Sequence, residues 1–330
     1  MKTKGAKSVS LTSRERVERI IHFEKPDRVA FNFWMDRRRM AELDARHGPD
    51  FRVRHYDADI VESIIPIPYP QGRMAQRKGT SWLAEPLFAS FEDARAIALP
   101  DPADPALYES LAYDLRRFAD RAVIADLPNV LTYVEGMRSQ EMLYLDMLLE
   151  PEAVKAFFGR LSDVMAGAAD QVCRTDIAAL YVMDDIAFNR GLLMSPAQFR
   201  EFVLPHWKKV IDAAHAHHKP VFFHTDGNAE PIWDVFAEEL GVRMLNPLQP
   251  NLQDISAFKR TYHGRMGVYG GIDTARLHLM SLTQIKEHVE DLFMKAGGDG
   301  GLIVSTHDLD YSISDEQLDA FVEAIKACVY

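Results

Sequence analysis

Residues 219–250 (KPVFFHTDGNAEPIWDVFAEELGVRMLNPLQP) contain the pattern that decides the fold. Apolar runs predict short strands over 221–224 and 242–245, and the segment between them predicts a helix over 231–239. Short, uniformly apolar strands joined by helices are typical of parallel sheets with helical crossovers. This stretch therefore predicts one strand–helix–strand unit of an α/β fold.

The same unit recurs along the chain. Helices are predicted over 13–23, 37–46, 105–119, 140–149, 151–174, 196–217, 231–239, 255–262, 283–295 and 315–327, and strands over 28–34, 57–66, 122–126, 130–134, 178–183, 221–224, 242–245, 266–269 and 302–305, with a hairpin arm near 80–87. About eight such strands predict a (β/α)8 TIM barrel with a helical and irregular N-terminal excursion. Because no linker or break in composition interrupts the pattern, we expect one domain over residues 1–330, with residues 1–10 flexible.

Composition narrows the class of protein. Lys and Arg number 38 and Asp and Glu number 49, so the formal net charge is −11, opposite to the basic surface that nucleic-acid binding needs. The chain has 2 cysteines, which excludes a disulfide framework and a four-cysteine zinc site. No signal-peptide pattern or long apolar run occurs, so we expect a cytoplasmic protein without a membrane or nucleic-acid partner.

Polar or glycine-rich clusters follow nearly every predicted strand. They lie at 135–136, 184–185, 224–228, 246–250, 270–273 and 306–308. In a TIM barrel the C-terminal ends of the strands meet at one rim and build the active site. Any single one of these residues could simply cap a helix, but together they predict a catalytic pocket.

His224 and Asp226 are the most specific pair among these clusters. Alternate residues leaving one strand can reach the same ion, and His307 from a later strand could supply a third ligand. Such a set leaves a fourth position open, as a catalytic zinc site requires. Two alternatives remain: Asp226 could orient His224 as an acid or base, or the residues could be purely structural.

Several segments together resemble the uroporphyrinogen decarboxylase superfamily, which includes heme-pathway decarboxylases and corrinoid-linked methyltransferases. The resemblance is carried by residues 11–29 (LTSRERVERIIHFEKPDRV), 184–205 (DDIAFNRGLLMSPAQFREFVLP), 224–228 (HTDGN), 245–250 (LNPLQP) and 270–273 (GGID). It implies the same (β/α)8 barrel that the alternation of strands and helices predicts.

The resemblance is closer to the methyltransferase branch. The decarboxylases carry a Met-Arg-Gln-Ala-Gly-Arg motif after the first strand, where residues 34–40 of this chain are WMDRRRM. The methyltransferases hold zinc with a His-x-Cys pair and a later Cys. His224 matches the first of these ligands, Asp226 stands at the position of the Cys, and His307 falls near the last.

The resemblance therefore implies transfer of a methyl group from a small methoxylated ether to a Co(I) corrinoid. This chain lacks a corrinoid-binding Asp-x-His-x-x-Gly motif, so a separate corrinoid protein is the expected partner. Under this hypothesis zinc on His224, Asp226 and His307 activates the leaving oxygen, while Glu135 and Asp185 bind or protonate the substrate. The expected catalytic residues are Glu135, Asp185 and His224, and the expected substrate contacts are Trp34, Arg37, Asp59, Asp184, Asn246 and Asp273.

Two other functions stay open at this point. In a cofactor-free decarboxylase, acting on uroporphyrinogen or another small carboxylate, Asp59 or Asp185 would stabilise a protonated intermediate and an arginine would hold a carboxylate. Asp59 enters this reading because it roughly matches the decarboxylase Asp that holds the pyrrole nitrogens. A non-catalytic barrel that binds a small molecule is the third reading, and a homodimer is left open.

Overall fold

Eight parallel strands follow one another around a sheet in the order predicted for a TIM barrel. In this computed structural model, which describes residues 10–68, 70–77 and 80–330, they are β1 (Ala30–Phe31), β2 (Ile60–Ile64), β3 (Ala122–Pro128), β4 (Ala179–Met183), β5 (Val221–His224), β6 (Met244–Asn246), β7 (Gly267–Gly271) and β8 (Leu302–Ser305). Between β1 and β2, the amide of Asp59 donates to the carbonyl of Phe31 at 2.9 Å. The predicted (β/α)8 architecture is confirmed.

Most helices lie where the apolar periodicity predicts them, with ends shifted by a few residues. The helices are α1 (Ser13–Ile21), α2 (Arg37–His47), α3 (Phe51–Arg54), α4 (Glu109–Arg117), α5 (Val130–Glu135), α6 (Gln140–Leu149), α7 (Pro151–Cys173), α8 (Pro196–Gln198), α9 (Leu204–Ala216), α10 (Ile255–Thr261), α11 (Leu282–Ala296) and α12 (Asp315–Ala327). Helices α3 and α5 were not predicted, and the helix predicted over 231–239 is a 3-10 turn followed by a π-helical segment. Within the described residues, no helix is long and apolar enough to cross a membrane. The expected flexible residues 1–10 lie outside the described part of the chain, except for Ser10.

Shorter elements complete the chain. They are the 3-10 turns Asp93–Ala96, Pro105–Tyr108, Glu230–Ile232 and Leu277–Leu279, the π-helical segments Phe199–Val203 and Val235–Glu239, the strand pair Trp34–Met35 and Asp308–Leu309, and the hairpins Arg73–Arg77 with Thr80–Glu85 and Ala187–Phe188 with Gly191–Leu192. The predicted hairpin arm near residue 80 is therefore present.

The predicted strand over 130–134 is wrong, because these residues form helix α5. The side chain of Asn129 accepts the amide of Val130, and the carboxylate of Asp184 accepts the amides of Leu131 and Thr132 at 3.2 and 2.6 Å. Side-chain oxygens at a helix N-terminus accept hydrogen bonds from the first backbone N–H groups, which have no partner within the helix. This distant acceptor overrides the strand preference of a short β-branched run, and it places Glu135 at the end of a helix.

Helix α1 closes the N-terminal end of the barrel. A capping box starts it, with the Glu15 amide donating to the Thr12 hydroxyl at 3.2 Å and the Thr12 amide donating to the Glu15 carboxylate at 2.8 Å. Its buried residues Val17, Ile20 and Ile21 pack with the apolar side chains that fill the lower barrel interior. The predicted excursion thus begins as a plug, which leaves the opposite end of the barrel for polar groups.

A buried ion-pair cluster lies beside this plug. The carboxylate of Asp59 accepts from Arg16 at 2.6 Å, from Arg28 at 2.8 Å and from the amide of Phe31 at 2.9 Å. Asp59 is fully buried, directly before β2 and hence at the N-terminal end of the barrel. The expectation that Asp59 contacts substrate is therefore corrected: its oxygens bind arginines that tie α1 and β1 to β2.

Asp27 should give this cluster a measurable pH dependence. Desolvation alone would raise its pKa, but the guanidinium of Arg16, which donates at 2.7 and 2.9 Å, outweighs it and lowers the pKa of Asp27 to about 2. The unfolded carboxyl titrates near 3.9, so this stabilisation is complete above about pH 4 and is lost as pH falls towards 2. We expect Asp27→Asn to lower the free energy of unfolding by about 2 kcal/mol at neutral pH, and by much less near pH 2. Urea unfolding of both proteins across this pH range measures the difference, and a difference that does not change with pH would contradict the prediction.

Candidate active site

The alternation of side chains along the strands divides the barrel interior into two layers. In the register of the sheet, Tyr181 of β4 lies beside Phe222 of β5. Two residues further along these strands, Met183 lies beside His224, and His224 lies beside Asn246 of β6. Neighbours in register point to the same face of a sheet. The lower layer is apolar, whereas the layer at the C-terminal ends of the strands is polar.

This polar layer opens into a cavity of about 270 Å³. The cavity is lined by Trp34, Glu62, Ile64, Asp126, Tyr181, Met183, His224, Asp226, Asn246, Ser305, Thr306, His307 and Asp308. Four of these residues are acidic, and none is lysine or arginine. Of the predicted site residues, the cavity brings together Trp34, His224, Asp226, Asn246 and His307.

Hydrogen bonds fix the imidazole of His224. Its Nδ1 lies 2.6 Å from Oδ1 of Asn246, whose amide nitrogen donates to the carbonyl of Tyr269 at 2.6 Å. Because a carbonyl can only accept, this contact fixes the Asn246 amide, so Oδ1 accepts from Nδ1–H of His224. The hydroxyl of Tyr181 donates to the same oxygen at 2.8 Å. A neutral His224 therefore keeps the lone pair of Nε2 free.

The free lone pair of His224 faces two carboxylates. Nε2 lies 3.8 Å from Oδ1 of Asp185 and 3.9 Å from Oδ2 of Asp226, distances too long for hydrogen bonds. The three potential ligand atoms lie within 4.8 Å of one another. The amide of Asp226 donates to Asp185 at 2.7 Å, and Oδ1 of Asp226 is buried without a hydrogen-bond partner among the residues that the structure describes. One imidazole and two carboxylates converging on one point, with Asn246 orienting the imidazole, fit a divalent cation such as zinc.

His307 lies in the cavity wall but does not join this group. Its Nε2 is 3.4 Å from the amide nitrogen of Gln249, and the amide oxygen of Gln249 accepts from Gly227 at 2.9 Å. This second contact orients the Gln249 amide so that its nitrogen donates to His307. The structure thus brings Asp185, in place of the expected His307, to His224 and Asp226.

Asp184 is oriented away from the cavity. It is fully buried, and besides the amides at the start of α5 its carboxylate accepts from Nε1 of Trp207 at 2.6 Å. Burial raises the pKa of Asp184 to about 7, against the opposing effect of these donors. Its oxygens are occupied by the protein, so its expected contact with substrate becomes a structural role in anchoring α5.

Three further predicted residues lie outside the cavity wall. Glu135 is exposed at the end of α5 and accepts from Gln140 at 2.6 Å. Arg37 is exposed at the first turn of α2. Asp273 follows β7, and its amide donates to His288 at 3.1 Å. The structure therefore places these residues outside the cavity lining.

Glu62 is a cavity residue that the sequence analysis missed. Its carboxylate accepts from the Asn32 amide at 2.8 Å, from the indole N–H of Trp34 and from the hydroxyl of Tyr269. The guanidinium of Arg52 stacks on the Trp34 ring at 3.9 Å. The sequence signal for Glu62 was a single acidic residue at an alternate position in the mostly apolar strand β2. Three donors and a nearby cation suit an ionised Glu62, and they fix the Trp34 ring.

Asp126 is the second missed cavity residue. It lies near the C-terminal end of β3, and 5% of its surface is exposed. Within the described part of the chain, no hydrogen bond reaches its carboxyl group, although its backbone carbonyl accepts from Ile65 at 2.9 Å. Burial, and then the negative charge of Glu62, raise the pKa of Asp126 well above its ordinary value.

Comparisons with known proteins identify a matching family and a solved structure of the same fold. A family model described as uroporphyrinogen decarboxylase (URO-D) matches residues 72–328. A methyltransferase from Methanosarcina mazei superposes with a TM-score of 0.73 at 15% identity, covering 95% of this chain and 98% of the other. A putative vitamin-B12 independent methionine synthase from Listeria monocytogenes gives a TM-score of 0.45 at 10% identity, covering 92% and 95%. No curated protein sequence matches the chain.

Proposed function

Because this chain belongs to the uroporphyrinogen decarboxylase family, we propose that it is a methyltransferase of the family's corrinoid-linked branch. In this proposal it moves a methyl group from a small methoxylated substrate to a corrinoid carried by a partner protein. The observation that carries the proposal is the position of Nε2 of His224, which faces Asp185 and Asp226 at the rim of the barrel. The Methanosarcina structure supports the shared fold.

The three side chains would hold zinc as one nitrogen and two oxygen ligands. When bound, zinc supplies a Lewis acid that makes the ether oxygen a better leaving group. Asn246 keeps the imidazole in the tautomer that presents Nε2, and the amide of Asp226 holds Asp185 in position. Outer contacts of this kind orient metal ligands and raise their affinity.

The bond changes set the demands on the site. The C–O bond of the ether breaks, the methyl group joins the cobalt of a Co(I) corrinoid, and the electron pair of the broken bond stays on oxygen. An alkoxide or phenolate is a poor leaving group, so the site must neutralise that developing charge. The cavity at the open rim is where the partner's corrinoid would approach, since this chain has no corrinoid-binding motif of its own.

The cavity favours methyl transfer over decarboxylation of a tetrapyrrole. Its volume of about 270 Å³ suits a small molecule. Its wall offers the acids Glu62, Asp226 and Asp308 and no lysine or arginine, so a substrate with several carboxylates would meet repulsion. Asp59, one of the two acids that the decarboxylase alternative placed at the substrate, lies at the other end of the barrel.

Metal content and donor screening test the proposal together. We expect about one zinc per purified chain, methyl transfer from at least one methoxylated donor to a Co(I) corrinoid protein, and a matching change in the corrinoid's absorbance. Asp185→Ala should lose the metal, whereas His307→Ala should keep it. Metal-free wild-type protein that releases carbon dioxide from a carboxylated substrate would overturn the proposal.

A further inference from the structure

We propose that Asp126 is the acid that protonates the departing oxygen of the substrate. This inference rests on the methyl-transfer function proposed above and names a catalytic residue for it. Asp185, which was expected to bind or protonate the substrate, lies with His224 and Asp226 in the candidate metal site. Another group must then supply the proton.

Position selects Asp126 for this role. In the register of the sheet it lies between Ile64 of β2 and Tyr181 of β4, and all three line the cavity. His224 lines the same cavity from β5. A substrate that contacts His224 and Asp226 in this cavity therefore shares it with the carboxyl group of Asp126.

The surroundings of Asp126 favour its neutral form. Its carboxyl group is buried and has no hydrogen-bond donor among the described residues, and the hydroxyl of its neighbour Tyr181 is already donated to Asn246. An ionised carboxylate without donors is strongly disfavoured in such a place. Its pKa is raised accordingly, by burial and by the charge of Glu62.

Glu62 provides the contrast within the same cavity. Its carboxylate receives N–H or O–H donors from Asn32, Trp34 and Tyr269, and Arg52 lies behind the Trp34 ring. When the environments of two neighbouring acids favour opposite charge states, the neutral one commonly acts as the proton donor. Glu62 remains the fixed anion, and Asp126 holds the transferable proton.

The proton step balances without another reactant. As the C–O bond breaks and the methyl group leaves, the electron pair on oxygen takes the proton of Asp126, and an O–H bond forms. Asp126 is left as a carboxylate, which regains a proton from water once the alcohol product leaves through the open rim. General acid catalysis of this kind typically contributes about 10²–10⁴-fold.

A pair of donors with different leaving groups tests this step. For Asp126→Asn we expect the rate of methyl transfer from an alkyl methyl ether to fall by about 10²–10⁴, but from an aryl methyl ether with electron-withdrawing groups by less than about tenfold. The second leaving group needs no proton. Asp212→Asn is the matched control, since Asp212 is exposed on α9 and pairs with Lys208. Equal losses on both donors, or no loss on either, would overturn the inference.

Infrared spectroscopy provides a readout that does not depend on activity. At neutral pH the wild-type protein should show the carbonyl stretch of a protonated carboxyl group, and the difference spectrum against Asp126→Asn should isolate it. Absence of this band overturns the inference whatever the enzyme does. If the band is present but no donor methylates the corrinoid, the proposed function has failed. The band then still shows that the carboxyl group of Asp126 is protonated at neutral pH.

Discussion

Replacing His224 by alanine is expected to empty the candidate metal site and to lower the rate of methyl transfer by about 10³ or more. The imidazole is the one nitrogen ligand of the group, and it is already oriented by Asn246. A Lewis acid at a leaving oxygen contributes several kcal/mol, and each 1.4 kcal/mol is about tenfold in rate. Zinc content and rate should therefore fall together, from about one ion per chain to nearly none.

His263→Ala is the matched control for this change, because His263 is exposed and distant in sequence from the site. It should retain both metal and activity. Folding of the His224 variant is checked by its urea midpoint, which should stay near that of the wild type, since no apolar core is lost. A His224→Ala protein that keeps its zinc would show that the metal lies elsewhere.

The barrel could be predicted from sequence because burial on both faces makes each strand a short apolar run. Residues 221–224 and 302–305 show this most plainly, and their predicted bounds match β5 and β8. Residues 130–134 have the same local character but form a helix. Their amides are accepted by Asp184, about fifty residues away, and no local pattern contains that information.

The site was predicted less completely, for a geometric reason. Polar residues at the C-terminal ends of strands indicate the rim of a barrel, and this pattern predicts His224, Asp226 and Asn246. It does not include residues that face inward before a strand ends, such as Glu62 and Asp126. Their alternation with apolar neighbours in β2 and β3 was visible, but which face is inward is decided only when the sheet closes.

Asp59→Ala is expected to lower the free energy of unfolding by about 3–5 kcal/mol. The change leaves the guanidiniums of Arg16 and Arg28, whose side chains are 5% and 12% exposed, without their shared carboxylate. It also removes the acceptor of the Phe31 amide. Arg16 keeps its pair with Asp27. Arg28 keeps only a 3.8 Å carboxylate contact, with the exposed Asp57. Removing a carboxylate partner from buried charges costs far more than the loss of a surface ion pair. Urea unfolding should show the loss as a lower midpoint.

Asp57→Asn separates this effect from a general loss of negative charge near the arginines. Asp57 also contacts Arg28 and Arg121, but its side chain is 54% exposed, so the cost should stay below about 1 kcal/mol. Asparagine is chosen because Asp57 has φ of 62°, a conformation that it tolerates. Since Asp59 lies at the end of the barrel opposite His224, the folded fraction of Asp59→Ala should keep its metal and its rate per folded molecule. A variant of unchanged stability that has lost substrate binding would instead restore Asp59 to the active site.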